Sequence, residues 1–423
     1  MQLFNIIAIV LTLAAAFGYV NHRFIRLPTT IGTMLVAMVV SVVIVIGGHV
    51  SGVGVGIEER WVGLIRSIDF NEALLVGMLG FLLFAGALHV DYNELRTWKW
   101  EVLVLATVGT ILAAVLIGSA LYGVARWLAL PLDFLHCLLF GALIAPTDPI
   151  AVLGIMRTAG VPKGLEVVIS GESLFNDGVG VVLFTMLLGM ADGGSSSPGH
   201  ALALFSQEFL GGVLFGLALG WAAFLVLKSI DNYHIEILIT LSVVTGGYAL
   251  ASVLHTSGPI TMVVAGLVIG NHGRKFAMSE KTRANIDTFW ELVDQILNSI
   301  LFVLIGLEVL VVQLAWSFFA AGLLAVIAAL AARFASVGVP LLLLAARRKF
   351  SGRILQLMTW GGLRGGISVA LALSLPRGPG RDIIITMTYT VVVFSILLQG
   401  LSIRYLVDAA RRAGAFQPFR SPR

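Results

Sequence analysis

The sequence predicts an all-α polytopic membrane protein of about thirteen transmembrane helices, arranged as two inverted six-helix repeats. Of the 423 residues, 58% are hydrophobic and only 12% are charged, whereas a soluble domain carries about 25% charged residues. Apolar stretches long enough to span a bilayer recur along the whole chain. Two of these stretches, the fifth and the twelfth, contain helix-breaking residues and are expected to be discontinuous helices that cross.

Thirteen apolar segments are separated by short polar loops. The predicted spans cover residues 3–20, 28–47, 70–90, 101–125, 134–156, 165–190, 203–227, 235–254, 258–271, 285–313, 315–344, 354–376 and 383–403. Loops assigned to the inside hold 20 Lys and Arg residues, and loops assigned to the outside hold five. The positive-inside rule therefore puts the N-terminus outside and a short tail, 404–423, in the cytoplasm. Because no basic residue precedes the first segment, it is expected to be a retained helix and not a signal peptide.

Different residues interrupt the two broken spans. The fifth reads GALIAPTDPIAV, where Pro146 and Pro149 flank Thr147 and Asp148, and each proline removes a backbone N–H and frees a carbonyl group. The twelfth reads WGGLRGGIS, where four glycines surround Arg364. An arginine at this depth needs an anionic or carbonyl partner. The alternatives are an ordinary proline kink and tight packing around a snorkelling arginine.

The two breaks lie seven spans apart, in the fifth helix of helices 1–6 and in the fifth helix of helices 8–13. An odd offset reverses direction through the membrane, so the halves are predicted to be inverted repeats, with helix 7 (203–227) as a linker. This layout is typical of transporters whose discontinuous helices hold an ion at the bilayer midplane.

The sixth span carries a dense polar cluster in the stretch SGESLFNDGVGVVLF (170–184). Glu172, Ser173, Asn176 and Asp177 share one broad helical face, because positions i and i+4 lie above one another. Inserting each acid costs about 2.5–3.5 kcal/mol. Such a cost indicates a pathway for an ion, a proton or a substrate, and the alternative is a buried structural ion pair.

The tenth span begins with a polar stripe at spacings of four, three and four, formed by Asp287, Glu291, Asp294 and Asn298. The functional interpretation is a water-filled funnel that attracts cations from the cytoplasm. The alternative is a solvated helix end followed by structural hydrogen bonds. Asp287 is assigned to the solvated end, whereas Asp294 and Asn298 are candidates for the funnel. Glu308 and three acids of an outer loop are expected to be solvated surface, the three being Glu58, Glu59 and Asp69.

Several motifs match a known family in order along nearly the whole chain. They are TDP (147–149), GESLFND (171–177), HTSGP (255–259), AGLVIGN (265–271), FWELVDQILNSILFVLIGLE (289–308) and GGLRGG (361–366). With these motifs the chain resembles the monovalent cation:proton antiporters, in particular the NhaP/NHE-type sodium/proton antiporter branch. The resemblance implies a secondary active antiporter that exchanges a monovalent cation, foremost Na⁺, for H⁺ by alternating access. It implies no cofactor.

The same resemblance implies roles for the polar residues of the broken and sixth spans. Asp177 is expected to bind a cation or a proton in competition. Thr147, Ser173 and Asp148 are expected to supply further oxygen ligands to Na⁺, Asp148 directly or through water. Asn176 stands where electrogenic relatives carry a second aspartate, so the Asn176–Asp177 pair resembles the electroneutral branch with one-for-one exchange.

Charged residues at membrane depth receive structural roles from the resemblance. Glu172 is expected to pair with Arg333 of the eleventh span, while Arg364 and Asp148 offset the dipole ends of the broken helices. Helices 4–6 and 11–13 are expected to form a moving, ion-binding core against a homodimerising scaffold of helices 1–3 and 8–10. The expected setting is a bacterial inner (plasma) membrane, with lipid and a second copy of the chain as partners and no nucleic acid.

The third span departs from the family pattern. It reads LLFAGALHVD, with Ala85 where many relatives carry a cation-binding glutamate. The ion is therefore expected to have fewer protein ligands and more water, which leaves Na⁺, Li⁺ and K⁺ open. His89 and Asp91 are expected at the inner end of this span and not as replacements for the glutamate.

Other functions remain as alternatives or are disfavoured. A K⁺/H⁺ antiporter of the same fold, a cation channel and a proton-coupled symporter remain. An aspartyl protease is disfavoured because Asp177 follows Asn176 in place of a Gly-x-Gly context. A serine protease needs a histidine at depth, and His255 falls at a span end. The single cysteine, Cys137, permits no internal disulfide.

Overall fold

The apolar runs fold as α-helices, because a helix satisfies its own backbone N–H and C=O groups where no water is available. The computed structural model describes residues 2–51, 77–149, 152–154, 156, 159–191, 198–310, 315–344, 350–376, 378 and 380–419. Within these residues, nine helices are long and apolar enough to cross a membrane. The chain is therefore an all-helical, multi-pass membrane protein.

The principal helices are numbered in chain order. They are α1 (Gln2–Val20), α2 (Thr29–Ser51), α3 (Leu79–Leu88), α4 (Lys99–Trp127), α5 (Phe134–Ile144), α6 (Lys163–Ala191), α7 (Pro198–Lys228), α8 (Tyr233–Val253), α9 (Gly258–Val268), α10 (Glu280–Leu307), α11 (Trp316–Leu343), α12 (Gly352–Trp360), α13 (Gly366–Leu373) and α14 (Arg381–Arg412). Some contain a π-helical turn, such as Ser395–Gln399 inside α14. A π-turn inside a helix often marks a functional site.

The structure corrects two predicted helix ends and the predicted exposure of one acid. Helix α14 continues past residue 403, the predicted end of the thirteenth span, as far as Arg412, and it buries Ile403, Val407 and Ala410 on one face. The tenth span starts at Glu280 and not at residue 285, because the Ser279 side chain caps the helix by accepting from the Thr282 N–H. The prediction of Glu308 as solvated surface is wrong, since it is only 3% exposed.

Some predictions fall outside the described residues. Parts of the third, fifth and tenth predicted spans do so, at 70–76, 150–151, 155 and 311–313. The same holds for the acids Glu58, Glu59 and Asp69.

Two sets of helices pack side by side. In one set, α2 packs on α10, and α9 packs on α3, α7 and α8; in the other, α4 packs on α5 and α11, and α14 packs on α11 and α13. Helix α6 contacts both sets, through α5 on one side and through α7 and α9 on the other. The polar cluster of α6 therefore lies where the two sets meet.

A buried tryptophan joins three helices of the first set. The Trp290 indole of α10 donates a hydrogen bond of 3.1 Å to the Thr240 hydroxyl of α8, and its ring centroid lies 4.7 Å from that of Phe84 on α3. Trp290 and Phe84 are fully buried. This contact fixes α10, and with it the acidic stripe, against the neighbouring helices.

Candidate functional site

Two unwound segments cross at the centre of the molecule. Helix α5 ends at Ile144, after which Pro146 and Pro149 prevent its continuation. The chain between α12 and α13 is likewise non-helical. The Asp148 N–H donates a hydrogen bond of 2.8 Å to the Leu363 carbonyl, which pairs the two segments as antiparallel backbones.

Arg364 satisfies the carbonyl groups that the first break frees. Its Nη1 donates to the carbonyl oxygens of Ala145 at 2.5 Å and Pro146 at 2.8 Å, and the residue is 3% exposed. The guanidinium thus lies at the negative, C-terminal end of α5, where a cation is favourable. The Arg364 N–H in turn donates to the Ser395 hydroxyl at 2.8 Å, which holds the crossing against the π-turn of α14.

Asp148 lies at the N-terminal end of a helix, whereas Arg364 lies at a C-terminal end. Gly365 is the N-cap of α13, and a Cβ at Gly365 would stand 2.6 Å from the Asp148 Cβ. The glycine is therefore required by close approach, and the Asp148 side chain lies against the positive, N-terminal end of α13.

The polar face of α6 binds the unwound segment through Thr147. The Ser173 hydroxyl donates to the Thr147 carbonyl, and the Asn176 amide donates to the Thr147 hydroxyl at 2.9 Å. The Thr147 N–H donates to Asn176 Oδ1 at 3.4 Å. These bonds bring Thr147, Ser173 and Asn176 together beside Asp177, one position further along α6.

Asp177 differs from its neighbours because no described residue donates a hydrogen bond to its carboxylate. The residue is 8% exposed and lines a cavity of about 900 Å³. Asp148 interacts electrostatically with both Asp177 and Asp294. A buried carboxylate without donors needs a proton or a cation to balance its charge.

The cavity runs from one end of the bundle to Asp177. Its lining follows α6 from Lys163 to Asp177 and α10 from Arg283 to Leu301. Asp177 is therefore at the inner end, about 20 Å from the mouth at 1.5 Å rise per residue. Residues predicted for the ion site and the funnel share this lining, namely Thr147, Asp148, Ser173, Asp177, Asp294 and Asn298. Ala85, His89 and Asp91 line it too.

Four predicted residues do not line the cavity. Glu172 faces away from it and forms a bidentate ion pair with Arg333 of α11, in which Nη1 contacts Oε1 and Nη2 lies 3.1 Å from Oε2. Both residues are buried. Arg364 and Asn176 also lie behind the cavity wall, where they hold the unwound segment.

Basic residues at the mouth were not part of the sequence prediction. Arg274 pairs with Asp287, and Lys163 lies 3.2 Å from Asp91. Burial, together with the charge of Arg283, lowers the pKa of the Arg274 guanidinium from its ordinary value. These basic residues belong to loops that are distant in sequence. Only the tertiary structure shows that the loops meet at one opening.

Comparison with known proteins identifies the family. The model of the family described as "Sodium/hydrogen exchanger, transmembrane" matches residues 9–409. The Na⁺/H⁺ antiporter NhaP of Pseudomonas aeruginosa is 50% identical over 420 residues, which cover 98% of each chain. The chain belongs to the sodium/hydrogen exchanger family. Another member, the Na⁺/H⁺ antiporter NhaH of Halobacillus dabanensis, is 37% identical over 83% of this chain and 86% of that protein.

A solved structure of a sodium proton antiporter has the same fold. The sodium proton antiporter MjNhaP1 from Methanocaldococcus jannaschii matches with a TM-score of 0.71, covering 99% of this chain and 100% of that one. Its sequence is only 20% identical, so this likeness concerns the fold alone. Members of this family are transporters and not enzymes.

Proposed function

We propose that this protein is a secondary active Na⁺/H⁺ antiporter in which Asp177 binds either a cation or a proton. One observation carries the proposal, namely the Asp177 carboxylate without donors at the inner end of an open cavity. Thr147, Ser173 and Asp148 line the same cavity, and hard alkali cations prefer oxygen ligands such as theirs. The names of the relatives, Na⁺/H⁺ antiporters in each case, support the same exchange.

Competition for one carboxylate explains the coupling. Desolvation disfavours the bare anion, so Asp177 is loaded with a cation or a proton before access changes sides. A site that holds neither a cation nor a proton does not change the side of the membrane to which it opens. Exchange therefore needs no communication between distant sites. With Asn176 neutral, one proton is exchanged for one cation, because a single carboxylate changes its load.

The other polar residues position this carboxylate and guide the ion. Asn176 and Arg364 hold the unwound segment so that the Thr147 oxygens stay beside Asp177. Asp294 and Asn298 belong to a cytoplasmic funnel that raises the local cation concentration. Glu172 and Arg333 fix α6 against α11 as a structural ion pair.

The architecture proposed for this cycle has thirteen spans, with α12 and α13 together forming the twelfth. Two inverted repeats are joined by α7. The protein lies in the inner (plasma) membrane, with its N-terminus outside and its C-terminus in the cytoplasm. Helices α4–α6 and α11–α14 form the moving core, and helices α1–α3 and α8–α10 form a scaffold that dimerises. The separation into two packed sets supports this division.

Proton flux in proteoliposomes tests the function. With an imposed Na⁺ gradient, protons should move opposite to the cation in the wild type and in the Glu280→Gln control, an exposed acid of α10. Asp177→Asn should abolish the flux, because it cannot release a proton. Flux that persists in this variant would contradict the site.

The same assay separates the other functions. Coupled flux only with K⁺ gradients would indicate the K⁺/H⁺ antiporter, and flux in the same direction as the cation would indicate a symporter. Cation flux that does not saturate would indicate a channel.

A further inference from the structure

A second buried carboxyl, Glu308, lies far from the cavity mouth. It caps the C-terminal end of α10, whose 28 residues span about 42 Å. The cavity lining on α10 stops at Leu301, and every residue from Phe302 to Leu307 is buried. Glu308 thus lies beyond the inner end of the cavity, after a run of buried residues.

The Glu308 carboxyl is only partly satisfied by its contacts in the described structure. The residue is 3% exposed, and its Oε2 is buried without a hydrogen-bond partner. Among the described residues, no basic side chain forms an ion pair with it. The site is also unfavourable for an anion because the C-terminal end of a helix carries partial negative charge.

Residues of two helices surround this carboxyl. Helix α2 packs against the Glu308 turn, and the Ser41 hydroxyl of α2 donates to the Gly306 carbonyl at 3.0 Å. Helix α14 contributes Arg381 and Tyr389, which both interact electrostatically with Glu308. Glu308 therefore lies where α2 and α10 meet α14 of the other set.

Neither α14 group neutralises the carboxyl in this arrangement. Arg381 donates from Nε to the Leu375 carbonyl at 2.9 Å and from Nη2 to the Leu373 carbonyl at 3.0 Å. The Tyr389 hydroxyl is buried without a hydrogen-bond partner. In sequence, α1 and α2 add no acidic or basic residue besides His49. The closed packing therefore suits a neutral carboxylic acid and disfavours a carboxylate.

We infer that Glu308 is a second proton-binding carboxyl, which keeps the end of the bundle opposite the cavity mouth closed while it is protonated and lets that end open when it ionises. Ionisation draws water to the carboxylate, and the Tyr389 hydroxyl can then donate to it. The inference rests on the proposed antiport, in which the α14 set moves relative to α2 and α10. The proton acts here as a ligand that binds the closed state more tightly.

Infrared difference spectroscopy tests the proton site without any transport. In the purified full-length wild type, raising the pH should remove the carbonyl stretching band of a protonated carboxylic acid. Glu308→Gln should lack one such band, while Asp177→Asn and the Glu280→Gln control should retain it. Identical difference spectra for the wild type and Glu308→Gln would overturn the proposal, whether or not the protein exchanges Na⁺ for H⁺.

Transport in vesicles of known orientation tests the closure. When the pH on the Glu308 side alone is raised, exchange should accelerate in the wild type. Glu308→Gln resembles the protonated acid, so its exchange should be slower by on the order of tenfold and should keep only the pH dependence that proton competition at Asp177 imposes. Tyr389→Phe keeps the carboxyl but removes a donor to its anion, so acceleration should require a higher pH. An unchanged pH dependence in both variants would overturn the proposal.

Discussion

At the scale of single residues, the site depends on which buried charges have partners. Glu172 has two hydrogen bonds from Arg333, whereas Asp177 has none from the described residues. A buried carboxylate with an ion-pair partner has a structural role, whereas a buried carboxylate without a partner can bind a proton or a cation. The two acids lie five positions apart on the same helix, yet they have different tasks.

Removing Arg333 should destabilise the protein. Arg333→Ala leaves Glu172 as an unpaired buried charge, which costs about 3–5 kcal/mol. The thermal unfolding of the purified variant measures this loss. Adding Glu172→Gln should recover a large part of it, because the unpaired charge is gone.

An exposed ion pair provides the control for this experiment. Lys163 and Asp91 also form a pair, with side chains 63% and 38% exposed, and Asp91→Asn should change stability by less than about 1 kcal/mol. If Arg333→Ala unfolds like the wild type, the ion pair does not stabilise the fold.

Single residues were predictable where their chemistry is unusual for a membrane. Arg364 was expected to need an anionic or carbonyl partner, and the structure gives it the carbonyls of Ala145 and Pro146. Ser395, which accepts from the Arg364 N–H, could not be predicted, because a lone serine in an apolar helix commonly bonds its own preceding turn. Glu308 was misassigned because only the tertiary structure shows that α2 and α14 cover it.

At the scale of helices, the two unwound segments can cross only because their backbones approach each other closely. Both breaks were predictable from local sequence, since the prolines and glycines act within one turn. The pairing of Asp148 with Leu363 was not, because a contact between distant segments depends on how the helices pack. The extension of α14 did have a sequence signal, namely the apolar spacing of Ile403, Val407 and Ala410.

Filling the crossing should impair the ion site. Gly365→Ala introduces a Cβ 2.6 Å from the Asp148 Cβ, and overpacking of this kind costs about 1–3 kcal/mol. The segments should separate, and the Na⁺ concentration for half-maximal exchange should rise about tenfold for each 1.4 kcal/mol of lost binding.

Gly352→Ala is the matched control, because no atom lies within 4 Å of a Cβ at that position. It should exchange Na⁺ like the wild type. A Gly365→Ala variant with wild-type sodium dependence would show that the close approach does not matter for binding.

At the scale of the whole molecule, one-for-one exchange predicts indifference to membrane voltage. No net charge crosses in a cycle, whereas a second proton per cation would make each 100 mV contribute about 2.3 kcal/mol. Proteoliposomes with the voltage clamped at several values should therefore give the same exchange rate and the same final Na⁺ distribution. A distribution that follows the voltage would contradict electroneutral exchange.

The central claim is that Asp177 holds a cation or a proton but never both. The most direct measurement is the number of protons released when Na⁺ is added to the purified protein in weakly buffered solution. The account predicts one proton released for each Na⁺ bound, and neither binding nor release in Asp177→Asn. Sodium binding without proton release, or release that persists in Asp177→Asn, would contradict it.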